Sequence, residues 1–153
     1  MRDELLRRIA AVDWGNRRTS YGNASNVPDA LANLTSQRAD ARDRAYWSID
    51  NYVVVQSDLY EAAYDVAPLL VELLRERPEY GAEEIYDLLF EIANGHGVDD
   101  TRILVDGHNI PLRAACRKAI RAGEPLFLAD LDHPNERVRA TARDLLDTLA
   151  EPD

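Results

Sequence analysis

The chain has 153 residues, 46% apolar and 30% charged, enough for one compact domain with a core and not the balance of a disordered polymer. Asp and Glu number 28 against 17 Arg and the single Lys118, a formal net charge of −10 that argues against nucleic acid as a ligand and favours a basic protein partner. One cysteine, Cys116, excludes an internal disulfide, and no apolar run reaches membrane-spanning length, so the expected location is a cytoplasm. The Arg-, Ala- and Asp-rich composition is that of a GC-rich bacterial genome.

Helical periodicity dominates the chain in order. "MRDELLRRIAAVDW" (1–14) is an amphipathic helix without the apolar run of a signal peptide, its buried side Leu5, Leu6, Ile9 and Val12. Residues 13–26, rich in Gly, Asn and Ser, are expected to form a loop. "LYEAAYDVAPLLVELLRER" puts Leu59, Ala63, Val66, Leu70, Leu73 and Leu74 on one side, with Asp58 as a cap and Pro68 expected to kink or break the helix near Ala67. "AEEIYDLLFEIANG" does the same with Ile85, Leu88, Leu89 and Ile92, stopping at Asn94-Gly95. Residues 95–108 are expected to be an irregular loop. "NIPLRAACRKAIRAG" follows, with Asn109 as its cap, and the last helix carries Val138, Ala142, Leu145, Leu146 and Leu149. "YVVVQ" (52–56) is the best strand candidate, yet it continues a helical pattern, so the whole chain is expected to be α-helical.

The chain also repeats itself. Residues 27–50, "VPDALANLTSQRADARDRAYWSID", align without a gap on 124–147, "EPLFLADLDHPNERVRATARDLLD", with 7 identities in 24 positions. Pro28 meets Pro125, Leu31 meets Leu128, Ala32 meets Ala129, Leu34 meets Leu131, Arg42 meets Arg139, Ala45 meets Ala142 and Asp50 meets Asp147. A weaker copy appears at an offset of 40, where Pro28 meets Pro68, Leu34 meets Leu74, Ala45 meets Ile85 and Ile49 meets Leu89. Two helices per unit of about 40 residues is the period of HEAT-type repeats.

"LADLDHPNERVRATARDLLDTLA" closely resembles the second half of a HEAT repeat: apolar helix, Asp-x-Pro turn, then Val-Arg and a small Ala one helical turn on. The resemblance covers 27–150. It implies an all-α fold, an α-solenoid of about three HEAT-like repeats: an N-terminal capping helix (1–14), repeat one (27–53), repeat two (58–94), the irregular insertion (95–108) and a C-terminal repeat with an extra helix (109–150). It also implies that Asp132 caps the last helix and that Asp132 and Arg139 bond between repeats. The middle copy departs from this, with Arg75 and Ala82 at those positions.

In such a solenoid the second helices line the concave binding face. The sides opposite their apolar stripes offer Asp43, Trp47 and Asp50, then Glu84, Asp87 and Glu91, then Asp144 and Asp147. The expectation is an acidic ridge for a basic partner with an aromatic anchor; the competing reading is solvated surface helices, with Trp47 tucked against the first repeat. Aromatics cluster at Tyr46, Trp47, Tyr52, Tyr60 and Tyr64; the helical spacing of Tyr60 and Tyr64 is read as core edge first and interface second.

No catalytic motif stands out, and no enzyme activity or cofactor is expected. His96 and His108 bracket Asp99, Asp100 and Asp106 at no standard metal spacing, so this segment is read as a solvated turn without metal. His133 is a turn residue, Cys116 a buried thiol, and the paired acids Glu83-Glu84 and Asp99-Asp100 follow from composition. Small acidic HEAT-repeat proteins of this kind resemble immunity proteins of polymorphic toxin systems, which implies a cognate toxin as partner. A generic scaffold or regulatory adaptor is the alternative, and a HEAT-like enzyme, a DNA glycosylase or bilin lyase subunit, the remote one.

Overall fold

The computed structural model describes residues 2–153, so Met1 of the expected capping helix lies outside the described residues. Among the described residues are eight α-helices: α1 Arg2–Ala11, α2 Val27–Asn33, α3 Ala39–Val53, α4 Ala62–Arg75, α5 Ala82–Ala93, α6 Leu112–Arg121, α7 Glu124–Ala129 and α8 Glu136–Ala150. The fold is predominantly helical, and no helix described is long and apolar enough to cross a membrane.

The helices form two layers. α5 lies between α3 and α8, and behind them α4 packs on α5 and α6, α2 on α3, and α7 on α8. α1 covers α2 and α4 with Leu5 and Ile9; Leu6, expected inside, is 38% exposed because it points away from that seam. The apolar stripes read from the sequence fill the space between layers: Leu59, Val66, Leu70, Leu73, Ile85, Leu88, Leu89, Ile92, Val138, Ala142 and Leu145 are buried. Full burial of a Leu or Ile contributes about 1.5–3 kcal/mol, so this seam dominates the stability.

The two aligned stretches fold alike. α3 and α8 begin and end 97 positions apart, and α2 and α7 start 97 apart, each with Pro in its first turn. Arg42 Nη1 donates to the carbonyls of Ser36 (2.7 Å) and Gln37 (3.1 Å). Arg139 Nη1 donates to those of His133 (2.7 Å) and Pro134 (3.1 Å) in the same way. The shared arginine thus clamps the turn before its own helix; Arg139 does not bridge repeats as expected. The bridging carboxylate is Asp130, buried, which accepts from Arg77 Nη1 (2.7 Å) and the Tyr86 hydroxyl (2.6 Å). Asp132 is exposed in the preceding 3-10 turn, and Asn135 is the cap of α8, its side-chain oxygen accepting from the N–H groups of Arg137 (2.8 Å) and Val138 (3.2 Å). Asn135→Ala is expected to cost about 1 kcal/mol, read as a lower midpoint in urea unfolding with an unchanged slope.

The expectation of a wholly helical chain is corrected at the connections. β1 (Arg18–Thr19) pairs antiparallel with β2 (Gly22–Asn23) inside the expected 13–26 loop, which also buries Trp14 with its indole N–H on the Ile9 carbonyl at 2.7 Å. α3 ends at Val53, and β3 (Val54–Val55) turns through Gln56 and Ser57, both at positive φ, into β4 (Asp58–Leu59). Asp58 is therefore a strand residue, not the cap of α4. β5 (His96–Gly97) adds parallel to β4, so the C-terminal ends of α3 and α5 are tied into one three-stranded sheet. The expected 95–108 loop instead contains β6 (Arg102–Val105), which pairs antiparallel with β7 (His108–Pro111) across an Asp106-Gly107 turn at positive φ. Asn109 belongs to β7, and α6 starts only after Pro111.

Pro68 does not break α4, which runs through it as one helix. A proline there removes one backbone bond, while the helix around it buries Val66, Ala67, Leu69, Leu70 and Val71. Packing outweighs that loss. Gly81, at φ +96°, starts α5 so close to the turn after α2 that a Cβ would lie 2.1 Å from the Leu34 carbonyl oxygen.

Candidate functional site

Between α3 and α5 run two clefts. One, of about 370 Å³, is lined by Asp43, Tyr46, Trp47, Glu84, Asp87 and Arg137 among others. The second, of about 420 Å³, lies against the three-stranded sheet and includes Asp50, Val55, Phe90 and Glu91. Asp43, Trp47 and Asp50 come from one face of α3, and Glu84, Asp87 and Glu91 face them from α5. The structure thus brings six of the expected ridge residues together. Asp144 and Asp147 stay exposed on α8 and line neither cleft.

Trp47 is 49% exposed and stands edge-on to Tyr46, with ring centroids 5.0 Å apart and an interplanar angle of 88°. Tyr46 holds the indole upright rather than letting it fold into the core.

The charge of the clefts is not uniformly negative. Arg137 Nη2 donates to Asp87 Oδ2 at 2.6 Å, its Nη1 lies 3.9 Å from Glu83, and Asn135 Nδ2 donates to Glu83 at 2.7 Å. Arg42 Nε is 3.4 Å from Glu84 and stacks over the Tyr80 ring at 5.3 Å. Burial raises the Asp87 carboxyl against the opposing pull of Arg137. Asp43, Asp50 and Glu91 form no ion pair with an arginine or lysine among the described residues.

Glu91 is the most perturbed carboxyl of the cleft. Its Oε2 is buried without a hydrogen-bond partner. Burial, and then the neighbouring Asp50, push it up to about 8, while the nearby Tyr46 phenol pulls the other way. The Tyr46 phenol is in turn raised, by burial first and then by Glu91 and Asp50. Glu91 therefore holds at neutral pH a proton that bulk water would remove from an ordinary glutamic acid.

The histidines are dispersed. His96 and His108 are exposed on β5 and β7, Asp106 faces Lys118 Nζ at 3.4 Å, and Asp99 faces Arg18 at 3.8 Å. His133 Nδ1 accepts from the Asn135 N–H at 3.0 Å. No group of three or more His, Cys, Asp or Glu among the described residues is arranged to hold a metal ion. Cys116 is buried, and burial pushes its thiol up to about 12. Tyr46 and Tyr64 pack partly buried on the core, while Tyr52 stacks on the exposed Tyr21 at 5.0 Å.

Sequence reasoning missed the cleft's cations. Arg42 was visible as a repeated identity, but nothing in the local sequence pairs Arg137 with Asp87, 50 residues away. Comparison of the chain with protein-family models, with curated proteins and with solved structures finds no match.

Proposed function

We propose that this chain is a non-enzymatic protein-binding module, a HEAT-like α-solenoid of the cytoplasm, whose α3–α5 face takes a basic protein partner. One observation supports this above the others: an upright, half-exposed Trp47 stands between Asp43 and Asp50, two carboxylates with no basic partner among the described residues. A tryptophan flanked by carboxylates suits a Lys or Arg side chain, by cation–π attraction and charge together. The 97-residue repetition of helix pairs, with the same arginine clamp in both copies, supports the solenoid reading.

Occlusion of a toxin follows from the same face: an acidic cleft covering the basic substrate groove of a cognate enzyme is the mode of an immunity protein. A regulatory scaffold would use the face without neutralising anything. Co-expression with the product of the adjacent gene separates the two. Co-purification in low salt that weakens in high salt, together with rescue of growth from that product, supports the immunity reading. Binding without rescue supports the scaffold, and the absence of any salt-sensitive partner contradicts both.

A further inference from the structure

The β6–β7 hairpin has one closed edge and one open edge. In a two-residue hairpin the residues flanking the turn form a close hydrogen-bonded pair, and such pairs alternate with pairs whose N–H and C=O groups point outward. Val105 and His108 flank the turn, so Ile103 pairs with Ile110 by hydrogen bonds, while Arg102, Leu104, Asn109 and Pro111 turn their backbone groups outward. On the β7 side this edge is closed. Pro111 has no N–H to offer, and the Asn109 carbonyl already accepts from Arg102 Nη2 at 2.9 Å. Among the described residues the β6 side carries no such block, and neither sheet nor turn bonds engage the outward groups of Leu104. Leu104 is also 71% exposed, the most exposed large aliphatic side chain described. Proteins blunt sheet edges they do not use; here one edge is blunted and the other is not.

We propose that the free edge of β6 pairs antiparallel with β6 of a second copy of this chain, with the two-fold axis at Leu104. This register is self-complementary. Leu104 meets its own symmetry mate through two reciprocal backbone bonds, and the two exposed leucines cover each other. Arg102 then lies across from the turn residue Asp106 of the second copy at both ends, opposite charges on the exposed side, where Asp106 also faces Lys118 of its own chain at 3.4 Å. Ile103 and Val105, half-buried on the inner face, stay where they are. A four-residue edge is a small interface of the weak, transient class, and two chains of net charge −10 repel.

Sedimentation velocity in about 0.15 M salt, at roughly 0.01–1 mM protein, should show a monomer that becomes a dimer as concentration rises. Leu104→Pro should stay monomeric with an unchanged circular dichroism spectrum, because the N–H it removes is not used within the hairpin. Leu104→Cys should cross-link to itself under mild oxidation. The expected Cα separation of about 5.5 Å in a hydrogen-bonded pair lies within disulfide range, and Cys116 is buried out of reach. Asn109→Cys, exposed on the closed edge, should not. A wild-type monomer across the whole range overturns the proposal. So does a Leu104→Pro chain that associates as the wild type does, or an Asn109→Cys chain that cross-links as readily as Leu104→Cys.

Discussion

Replacing Arg117 with Met is expected to cost about 2–4 kcal/mol of stability and to lower the melting temperature by roughly 4–16 °C. Arg117 is fully buried, and its guanidinium ties three segments together. Nη1 donates to the Ala93 carbonyl at the end of α5 (2.7 Å), and Nη2 to the carbonyls of Thr148 (2.6 Å) and Glu151 (2.9 Å) at the end of α8. Nε donates to Asp153 at 2.6 Å. Methionine fills similar volume but leaves the buried Ala93 carbonyl without this donor and takes one of two donors from the Thr148 carbonyl, which also accepts from the Glu151 N–H at 3.2 Å; an orphaned buried carbonyl costs about 1–3 kcal/mol. Lysine should not rescue, since one ammonium cannot span the directions a planar guanidinium reaches.

Asp153→Asn should cost far less, about 1 kcal/mol or below, because that carboxylate is 35% exposed. Its carboxyl is held below the usual range by the Arg121 hydrogen bond first and by Arg117 next. The contribution is therefore complete above the ordinary Asp range and lost as pH falls through the lowered folded value. Thermal melts of Arg117→Met and Asp153→Asn at neutral pH check the contrast; equal, small losses would contradict it.

Glu91→Gln is expected to stabilise the protein at pH 8.5 by about 1–3 kcal/mol, reduced from full linkage because the group is only partly buried, and to change little at pH 4. The folded carboxyl titrates at about 8, far above its unfolded value of 4.5. Between those values the folded state holds a proton that the unfolded chain releases. Stability of the wild type therefore falls as pH rises through that window and is fully present below it. Glutamine carries no such proton and avoids placing a second negative charge beside Asp50. Unfolding in urea from pH 4 to 9 should show the two chains diverging as pH rises. A constant difference across that range would mean that Glu91 acts through packing alone.

Parts of this structure were legible before any coordinates. The gapless match of 27–50 to 124–147 located two helix pairs almost to the residue, because the same Pro starts and the same Arg clamps recur. The faces of α3 and α5 were legible because helical spacing alone places Asp43, Trp47 and Asp50 together. The hairpin at 102–111 carries an Asp-Gly turn between short apolar runs, but strands of four residues are too short for a period-two alternation to stand out from the loop around them. Gln56-Ser57 offered no such cue, since neither residue favours positive φ. Arg117 was illegible for a different reason. An arginine in an amphipathic helix belongs to the solvated face by every local rule, and only the ends of α5 and α8 meeting there bury it. The partial neutralisation of the cleft by Arg42 and Arg137 likewise depends on contacts made by distant segments.

The proposed binding face is tested most directly by affinity capture from the native host's lysate. The wild-type chain and a Trp47→Ala/Asp43→Arg double variant, confirmed as equally folded, are used as baits in low and high salt. Both residues are solvent-facing, and Asp43 is in no ion pair among the described residues, so the fold should survive the change. The account predicts a basic protein retained by the wild type in low salt, weakened in high salt and lost from the variant. A partner retained equally by both baits would contradict it.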